Sequence, residues 1–298
     1  MKNYTVSVII PNFNGENLLQ QNLPSVIKAA GNPDNKISEI IVVDDGSRDG
    51  SVKVLGKNFP EVKLIKHKIN RGFSAAVNTG VRMSKGNLML LLNNDVAPSH
   101  DFLPAALKHF EDDKVFAVSM HEKNYGYAKG SFSGGYIELA MGEEAETAHS
   151  SFYVSGGSGI FRRSIWMELG GMDEKLLSPF YWEDIDLCYR ASKRGYINLW
   201  EPESHVVHNH ESTMSNFSKK YIQRIRERNQ LLVIWKNIAS PTFMRNHILG
   251  LLRRVIKHPG YVRIIVLALL KLGIALKERR REAKTSNLSD EAVFMRYR

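Results

Sequence analysis

The chain has 298 residues, a formal net charge of +10 and a single cysteine, Cys188. A hydrophobic content of 43% with 24% charged residues is typical of a globular protein with a sizeable core. One cysteine excludes an internal disulfide and suits a reducing compartment. The N-terminus, MKNYTVSVII, has no long apolar segment ending in small residues, so we expect no secretory signal and a cytoplasmic location.

Short apolar runs alternate with helical patterns through the first half of the chain. The predicted strands are VSVII (6–10), EIIVV (39–43), VKLIKH (62–67), NLMLLLNND (87–95) and VFAVSMH (115–121). The first predicted helix runs from Glu16 to about Ala30. Strands that are apolar throughout are covered on both faces, and right-handed crossovers between them give an open, doubly wound α/β sheet. Ligands of such sheets bind at the carboxyl ends of the strands.

The second half is less regular. Residues 125–151 show no clear period, so we expect a long mobile loop over the sheet edge. FYVSGGSGIFRRSIW predicts a strand, a glycine turn and a helix start, and INLWEP and HVVHNH predict two short strands. From about Ser218 the pattern is helical and basic to the last residue.

Acidic and amide side chains follow two of the predicted strands. Asp44 and Asp45 precede Gly46 in a sharp turn, where carboxylates can accept hydrogen bonds from a nucleobase or ribose, or can simply shape the loop. Another strand ends in Asn93, Asn94 and Asp95. A carboxylate there can hold a hard cation against a diphosphate, and an ordinary Asn-Asn-Asp turn is the alternative.

Three histidines, His205, His208 and His210, lie close together in HVVHNH. Because strand residues alternate in direction, His208 and His210 share a face and can both reach a metal. One ligating histidine is favoured over two. Surface histidines on an edge strand are the alternative interpretation.

Three carboxylates follow an aromatic cluster at the start of a predicted helix in the sequence FYWEDIDL (180–187). Acidic residues are common in a first helical turn, because the exposed amides and the helix dipole favour negative charge. The preceding aromatics are less usual. Glu183 or Asp184 can therefore be either a capping acid or a base held in an apolar wall, and Asp186 points elsewhere on the helix.

These motifs together resemble the family 2 glycosyltransferases. The resemblance covers roughly residues 4–235 and rests on SVIIPNFNGENLLQQNLPSV, EIIVVDDGSRDGS, NRGFSAAVNTGVRMSKGNLMLLLNND, SGGSGIFRRSIWMELGGMDEKLLSPFYWEDIDLCYR and PESHVVHNHEST, in the family's order. It implies the GT-A fold and inverting transfer of a sugar from a nucleotide-sugar donor. The resemblance is greatest to bacterial enzymes that build cell-surface polysaccharides, including rhamnosyltransferase-like members.

The resemblance also implies roles for individual residues. Asp44 or Asp45 should accept a hydrogen bond from the base. The other residues implied to line the nucleotide-sugar site are Pro11, Asn12, Asn70, Arg71, Gly72, Asn93 and Asn94. Asn93 replaces the first aspartate of the family's Asp-x-Asp metal motif, which leaves the site one charge short.

For the metal and the chemistry, the resemblance implies that Asp95 and His208 hold Mn²⁺ or Mg²⁺. Asp184 is the implied general base, with Glu183 as the fallback. The residues implied to contact the sugar or the acceptor are Gly156, Gly157, Tyr181 and Trp182. The two aromatics should also raise the pKa of the carboxylate by desolvation.

The last third is basic, as in RIRERN, LLRRVIKH and KERRREAK. The apolar run 264–270 is far shorter than the roughly 20 residues of a spanning helix. Pro259-Gly260 should break the segment 245–281 into two helices. Such a segment fits a helix attracted to an anionic membrane surface. A helical hairpin packed on the catalytic domain is the equal alternative.

We therefore expect a catalytic domain over residues 1–217, with a nucleotide-sugar half to about 120 and an acceptor half from 121, followed by a basic helical extension over 218–298. The expected acceptor is a saccharide or a polyprenyl-linked saccharide at the inner face of the plasma membrane.

Other classes of protein fit the sequence less well. Sugar nucleotidyltransferases have a glycine-rich basic loop after the first strand, where this chain has PNFNGEN. A nucleic-acid binder is disfavoured because the basic residues accompany aliphatic rather than aromatic side chains. A catalytically weak or inactive saccharide- or nucleotide-binding protein at the membrane surface is the remaining alternative.

Overall fold

The computed structural model describes residues 3–208 and 217–298. The strands are β1 (Val6–Asn12), β2 (Ile37–Asp44), β3 (Lys63–Lys66), β4 (Leu88–Leu92), β5 (Val96–Pro98), β6 (Val115–Glu122), β7 (Ala128–Ser133), β8 (Tyr136–Met141), β9 (His149–Ser150), β10 (Ser158–Arg162) and β11 (Ile197–His208). The helices are α1 (Glu16–Ala30), α2 (Ser51–Asn58), α3 (Phe73–Met83), α4 (Pro104–His109), α5 (Arg163–Leu169), α6 (Glu183–Lys193), α7 (Lys219–Asn237), α8 (Pro241–Lys257), α9 (Val262–Leu269), α10 (Leu272–Ala283) and α11 (Asp290–Arg296).

One large sheet has the strand order β3-β2-β1-β4-β10-β6-β11-β5, with β9 also paired to β11. Strands β1 to β4 are mutually parallel, as are β6 and β11, whereas β10 runs antiparallel between β4 and β6. Parallel neighbours usually need a helical crossover between them, and the segment that joins β6 to β10 contains the short strands β7, β8 and β9 but no helix. β10 therefore runs antiparallel to its neighbours. The sheet is therefore mixed and mostly parallel, as predicted.

Helices cover both faces of this sheet. Val8 and Ile10 of β1 face a core shared with α1, α2 and α4, whereas the intervening Ile9 faces a core shared with α3, α5 and α6. Burial on both faces explains why these strands are apolar throughout rather than alternating. The predicted doubly wound α/β architecture is confirmed.

The segment 125–151 is not the irregular loop that its sequence predicts. β7 and β8 pair along their whole length as an antiparallel hairpin, turning at Gly134 and Gly135, which both have positive φ. The hairpin packs on the C-terminal helices: Gly135 O accepts from His247 Nδ1 at 2.7 Å, and Ile137 O accepts from Gln230 Nε2 at 2.8 Å. This hairpin is stabilised by partners about 100 residues away in the sequence. Its own residues therefore do not need the regular alternation that would predict two strands.

Two smaller predictions are also wrong. In FYVSGGSGIFRRSIW the strand follows the glycines rather than preceding them, because Gly159 and Ile160 pair with β4 and β6. The two short strands predicted around 197–208 are one strand, β11, with a register shift between Glu201 and His205. The shift accommodates Pro202, which has no amide hydrogen for the ladder.

The C-terminal helices share a core with the rest of the chain. Residues Leu231–Ile234 of α7 are all buried, so the second half of this helix is enclosed on every side. Their core also contains Trp182 and Tyr189 of the α6 region and Phe294 of α11. The predicted packing of a helical extension on the preceding domain is therefore present, and the division at residue 217 stays a prediction.

A buried charge cluster connects α6 to α7. Asp186 Oδ2 lies 2.9 Å from both Arg190 Nε and Lys236 Nζ, and Asp186 Oδ1 accepts from Asn237 Nδ2 at 2.8 Å. Burial alone would raise the pKa of Asp186, but the charges of Arg190 and Lys236 lower it to about 2. Asp186 therefore connects α6 to α7, a role that its position in the sequence did not indicate.

We find, within residues 3–208 and 217–298, no single helix that is both long and apolar enough to cross a bilayer. The pair Pro259–Leu269 and Leu272–Ala283 meets the criterion of length and composition only jointly, and it is bent by 64°. A short helical turn at Pro259–Tyr261 separates α8 from α9, as the Pro-Gly pair predicts.

Candidate active site

A cavity of about 320 Å³ opens at the carboxyl ends of β1, β2 and β4. Parallel strands bring their following turns to one edge, so turns far apart in the sequence meet here. The residues lining the cavity are Pro11, Asn12, Phe13, Asp45, Asn70, Gly72, Phe73, Ala76, Asn93, Asn94, Asp95, Ser155, Gly156, Gly157, Pro179, Phe180, Tyr181, Glu183, Asp184 and Phe217. They come from both of the predicted halves of the catalytic domain.

The Asn12 side chain connects the ends of β1, β2 and β4. Its Nδ2 donates to Asp44 Oδ2 at 3.1 Å, and its Oδ1 accepts from Asn94 Nδ2 at 2.8 Å. Asp44 also accepts from the amide of Ser47, so it shapes its own turn and does not line the cavity. A Cβ at Gly15 would lie 2.2 Å from Asn94 Nδ2, so a glycine is needed beside this amide pair.

Asp45 organises the loop at 70–72. Its carboxylate accepts from the amides of Arg71 and Gly72, at 2.9 and 2.8 Å, and from His67 Nδ1 at 2.6 Å. The Arg71 side chain turns away and pairs with Glu174 Oε2 at 3.1 Å. Asp45 therefore faces the cavity while it fixes the loop that forms one wall. His67 is a supporting residue that sequence reasoning missed.

The glycines before β10 bring backbone close to two functional side chains. A Cβ at Gly157 would lie 2.5 Å from Asn93 Nδ2. Gly157 O accepts a hydrogen bond from the backbone N–H of Asn93 at 2.9 Å, and the backbone N of Gly156 lies 3.4 Å from Asp184 Oδ2. These glycines thus join the end of β4 to the start of α6.

Asp95 and His208 lie side by side at the sheet edge. β11 pairs antiparallel with β5 so that His208 is opposite Val96, next to Asp95. His208 Nε2 is 3.0 Å from Asp95 Oδ1, and His208 Nδ1 is 3.3 Å from Glu122 Oε2. Burial opposes the charged imidazole, but the two carboxylates raise the pKa of His208. Glu122, at the end of β6, is a second residue that the sequence did not indicate.

The residues present suit a divalent metal. Asp95 Oδ2 is buried without a hydrogen-bond partner among the described residues, which leaves a hard oxygen ligand free at the cavity wall. No group of three His, Cys, Asp or Glu side chains in the described ranges is arranged to hold a metal alone. A site of this kind would need ligand oxygens from a substrate, as magnesium sites often do. His210 lies outside the described residues.

The loop before α6 has an unusual backbone. Tyr181 and Trp182 have φ of 71° and 77°, a conformation that bulky residues adopt only where the surroundings impose it. Asn229 of α7 imposes it here. Its Nδ2 donates to the carbonyls of Leu177, Phe180 and Tyr181 at 2.6, 3.0 and 2.9 Å. The C-terminal region therefore shapes the loop that presents the carboxylates.

Glu183 and Asp184 begin α6 and both line the cavity. Burial raises the pKa of Glu183 to about 8, and the neighbouring Asp184 charge adds to this. Burial also raises the pKa of Asp184, while the amides of Ile185 and Gly156 oppose the shift. Glu183 Oε2 has no hydrogen-bond partner in the described chain. A pKa of about 8 means that Glu183 holds its proton more readily at neutral pH than an ordinary glutamate does.

A second cavity, of about 540 Å³, adjoins the first. Its walls include Trp182, Trp200, Arg226 and His208, together with side chains of the β7–β8 hairpin. Tyr181, Asp184 and Ser155 line both cavities. Asp184 thus lies at the junction of two spaces, where a group in one can meet a group in the other.

The model of the family described as "Glycosyl transferase family 2" matches residues 7–170, which is more than half of the chain. The chain belongs to this family. The match includes the strand ends that build the first cavity and stops before α6, so it does not cover Glu183 or Asp184.

Several curated relatives of this glycosyltransferase family member are similar over part of their length. Pre-mycofactocin glycosyltransferase of Mycobacterium tuberculosis is 29% identical over 188 residues, covering 60% of this chain and 39% of the relative. Dolichyl-phosphate beta-glucosyltransferase of Drosophila melanogaster is 35% identical over 149 residues, covering 43% and 44%. The chain spans about 40% of the length of these relatives.

Solved structures show the same fold at low identity. GalNAc-T7 with UDP, GalNAc and Mn²⁺ superposes with a TM-score of 0.64 at 19% identity, covering 78% of this chain and 48% of that one. Mannosyltransferase PcManGT from Pyrobaculum calidifontis, in complex with GDP-Man and Mn²⁺, gives 0.56 at 19% identity, covering 99% and 86%. The predicted GT-A architecture is therefore confirmed.

Most of the residues predicted for the site of this family 2 member lie at the first cavity. The exceptions are Asp44 and Arg71, which face other residues, and Trp182 and His208, which line the second cavity. Phe13, Phe73 and Phe217 line the first cavity but carry no motif signal. Their roles, like those of the predicted residues, remain predictions.

We expect Asn229→Ala to slow sugar transfer at least about tenfold, because the carbonyls it holds set the path of residues 177–181. Unpaired buried carbonyls should also cost about 1–3 kcal/mol of stability. The measurements are turnover and thermal midpoint. Gln223→Ala, at an exposed position on the same helix, is the control. Unchanged turnover in a destabilised variant would show that the loop does not depend on Asn229.

Proposed function

We propose that this protein is an inverting glycosyltransferase that moves a sugar from a nucleotide-sugar donor, a UDP- or dTDP-sugar by preference, to a saccharide or lipid-linked saccharide. The supporting observation is the position of Asp184 between two cavities, next to Glu183, whose pKa burial raises to about 8. An ionised carboxylate at such a junction suits a base that acts on an acceptor beside a bound donor.

The proposed reaction is a single displacement. The acceptor hydroxyl oxygen attacks the anomeric carbon from the side opposite the diphosphate. The new carbon–oxygen bond forms as the bond to the diphosphate breaks, and the diphosphate leaves with the bonding electrons. Asp184 takes the hydroxyl proton. Tyr153 and Trp182 line the second cavity together with Asp184.

The donor is assigned to the first cavity, and the metal to Asp95 in its wall together with the adjacent His208, which lines the second cavity. The Asn12–Asn94 pair and the loop at 70–72 suit a nucleoside, since they present amides and carbonyls at a cleft edge. Asp95 and His208 would hold Mn²⁺ or Mg²⁺, which neutralises charge on a leaving diphosphate when bound. The presence of Mn²⁺ in the structures of two neighbours, GalNAc-T7 and PcManGT, supports this assignment.

The acceptor is assigned to the second cavity. Its aromatic walls, Trp182, Trp200 and Tyr181, suit the apolar faces of sugar rings. The dolichyl-phosphate transferase among the relatives supports a lipid-linked acceptor. We accordingly propose a role in cell-surface polysaccharide synthesis on the cytoplasmic side, at the inner face of the plasma membrane.

The donor class is testable by thermal stability with UDP, dTDP, GDP and CDP, each with and without Mn²⁺. A ligand at about 100 times its dissociation constant adds about 2.7 kcal/mol, which should raise the midpoint by about 5–10 °C. We expect a metal-dependent shift with UDP or dTDP.

Asp95→Asn is the matched variant for this experiment. This variant should lose the metal-dependent part of the thermal shift and keep the part given by nucleotide alone. The substitution removes the negative charge of a metal-ligating carboxylate and leaves the pocket for the nucleobase unchanged. If no nucleotide raises the midpoint with or without metal, the transferase proposal is wrong. Oligosaccharides then become the next ligands, and a saccharide-binding protein is the better description.

A further inference from the structure

Helix α8 has two apolar faces, and the core uses only one. Met244, Leu251 and Val255 pack against the C-terminal core. Leu252 and Ile256, one helical turn apart on the outer side, have 57% and 81% of their side-chain surface exposed. Packing accounts for the inner face alone, because a helix on a domain surface needs a single apolar stripe.

Helix α9 repeats this arrangement. Ile264 and Ala268 are buried against the core, whereas Val266 and Leu270 are 49% and 78% exposed. Ile274 continues the exposed apolar side chains onto α10. Soluble domains rarely leave a contiguous set of large apolar side chains exposed to solvent, and such a set usually marks a surface that binds a partner or a membrane.

The charges around this apolar surface have one sign. No Asp or Glu occurs from residue 228 to residue 277. The same stretch contains nine basic residues: Arg228, Lys236, Arg245, Arg253, Arg254, Lys257, Arg263, Lys271 and Lys277. Of these, Arg253, Lys257 and Arg263 are exposed among the apolar side chains of α8 and α9.

A basic cavity of about 370 Å³ adjoins the exposed face of α8. Its lining is Gly134, Gly250, Arg253, Arg254, Lys257 and His258. Gly250 lets the hairpin turn approach, since a Cβ there would lie 2.4 Å from Gly134 O. Arg254 is held over the rings of Tyr136 and Tyr261, at 5.0 and 4.4 Å. Arg254 also pairs with Glu227 Oε1 at 3.2 Å, so Arg253 and Lys257 are the cations that remain to face the cavity, and no described residue in its lining is acidic.

We propose that the outward faces of α8, α9 and α10 dock on an anionic phospholipid bilayer, with the cavity beside Arg253 and Lys257 taking a lipid phosphate. Apolar side chains flanked by Lys and Arg are the composition of a helix that lies in the interface of such a membrane. A second copy of the chain is disfavoured as the occupant. It would bring the same positive charge against this surface.

The docking surface rests on the proposed role at the membrane but not on the transfer chemistry. The two can fail separately, because nucleotide binding is measured without vesicles and vesicle binding is measured without nucleotide. A lipid-linked acceptor would then reach the second cavity from the same bilayer.

The experiment is co-sedimentation of the full chain with vesicles of phosphatidylcholine, with and without phosphatidylglycerol. We expect binding to the anionic vesicles that weakens with added salt. Each basic residue near an anionic surface contributes about fivefold to partitioning, so Arg253→Glu/Lys257→Glu/Arg263→Glu should bind at least about 100-fold more weakly. Leu252→Gln/Ile256→Gln/Leu270→Gln should lose binding to a similar extent, since these side chains are already exposed and their loss spares the fold.

Matched controls change the same residue types elsewhere. Met83→Gln/Met167→Gln removes apolar side chains that are 49% and 48% exposed, and Lys53→Glu/Lys57→Glu reverses charge on α2. Both should bind as the unmodified chain does. Equal sedimentation with neutral and anionic vesicles, or undiminished binding by the two α8–α9 variants, would overturn the proposal. A dimer without vesicles that the Leu252/Ile256/Leu270 variant abolishes would assign the surface to a second copy instead.

Discussion

Asp184→Asn is expected to lower the turnover of sugar transfer by about 10²–10⁴-fold, the usual contribution of a positioned base. The fold and the nucleotide-induced thermal shift should persist, because the asparagine oxygen can still accept from the Ile185 amide, at 2.8 Å from Asp184 Oδ1, and only the longer 3.4 Å bond from the Gly156 amide to Oδ2 is lost. The measurement is release of nucleotide from the donor identified by thermal shift, with and without an acceptor sugar.

Glu183→Gln is the matched comparison, and its expected effect on turnover at neutral pH is within about tenfold. Glu183 has its pKa raised to about 8 by burial and by Asp184, so the neutral amide resembles the state already present. Near-normal turnover by Asp184→Asn with loss in Glu183→Gln would move the base to Glu183. Near-normal turnover by both would exclude a carboxylate base at this position.

The same pair makes stability depend on pH. A carboxyl whose pKa is raised on folding contributes stability that is complete below its unfolded pKa, 4.5, and is lost as the pH rises toward about 8. Glutamine does not titrate. The thermal midpoint of Glu183→Gln should therefore fall less than that of the unmodified chain between pH 5 and pH 8, as melting curves across this range would measure.

Lys236→Met should lower the thermal midpoint by about 10 °C. Its ammonium lies 2.9 Å from Asp186 Oδ2 and 3.0 Å from Asp173 Oδ2, and all three groups are largely buried. Removing one partner of a buried ion pair typically costs about 3–5 kcal/mol. Arg190, also 2.9 Å from Asp186, remains in place and should keep the cost near the lower value.

Lys220→Met is the control, because Lys220 is exposed near the start of the same helix and should change stability by less than about 0.5 kcal/mol. The low pKa of Asp186 supplies a second measurement. Stability that depends on this ionised group is present above pH 3.8 and is lost as the pH falls toward about 2. Loss of stability over that interval should be smaller in Lys236→Met. An unchanged midpoint would show that the cluster does not hold α7 in place.

The strands and the turn residues were predictable because their signals are local. β1, β2 and β4 each contain a continuous apolar run, and polar turn residues follow that run closely. One βαβ arrangement follows from that alternation, and it brings Asn12, Asp45 and Asp95 to a single edge. Helix α1 begins and ends where its pattern predicts, at Glu16 and Ala30.

The β7–β8 hairpin and the loop before α6 were not predictable in the same way. The hairpin is stabilised by Gln230 and His247, about 100 residues further along the chain. The positive φ of Tyr181 and Trp182 depends on Asn229. The local residues indicate neither the hairpin nor the loop conformation, because the partners that stabilise them come close only when the C-terminal helices pack.

By itself, then, the sequence determined the family, the parallel strands of the first part of the chain and the residue types at each strand end. The tertiary structure decided which of those residues face a common space. It separates Asp45, at the cavity, from Asp44, in its own turn, and it brings His208 to Asp95 through the pairing of β11 with β5. It also raises the pKa values of Glu183 and Asp184, because burial and the distance between two charges set these values, and neither is a local property of the chain.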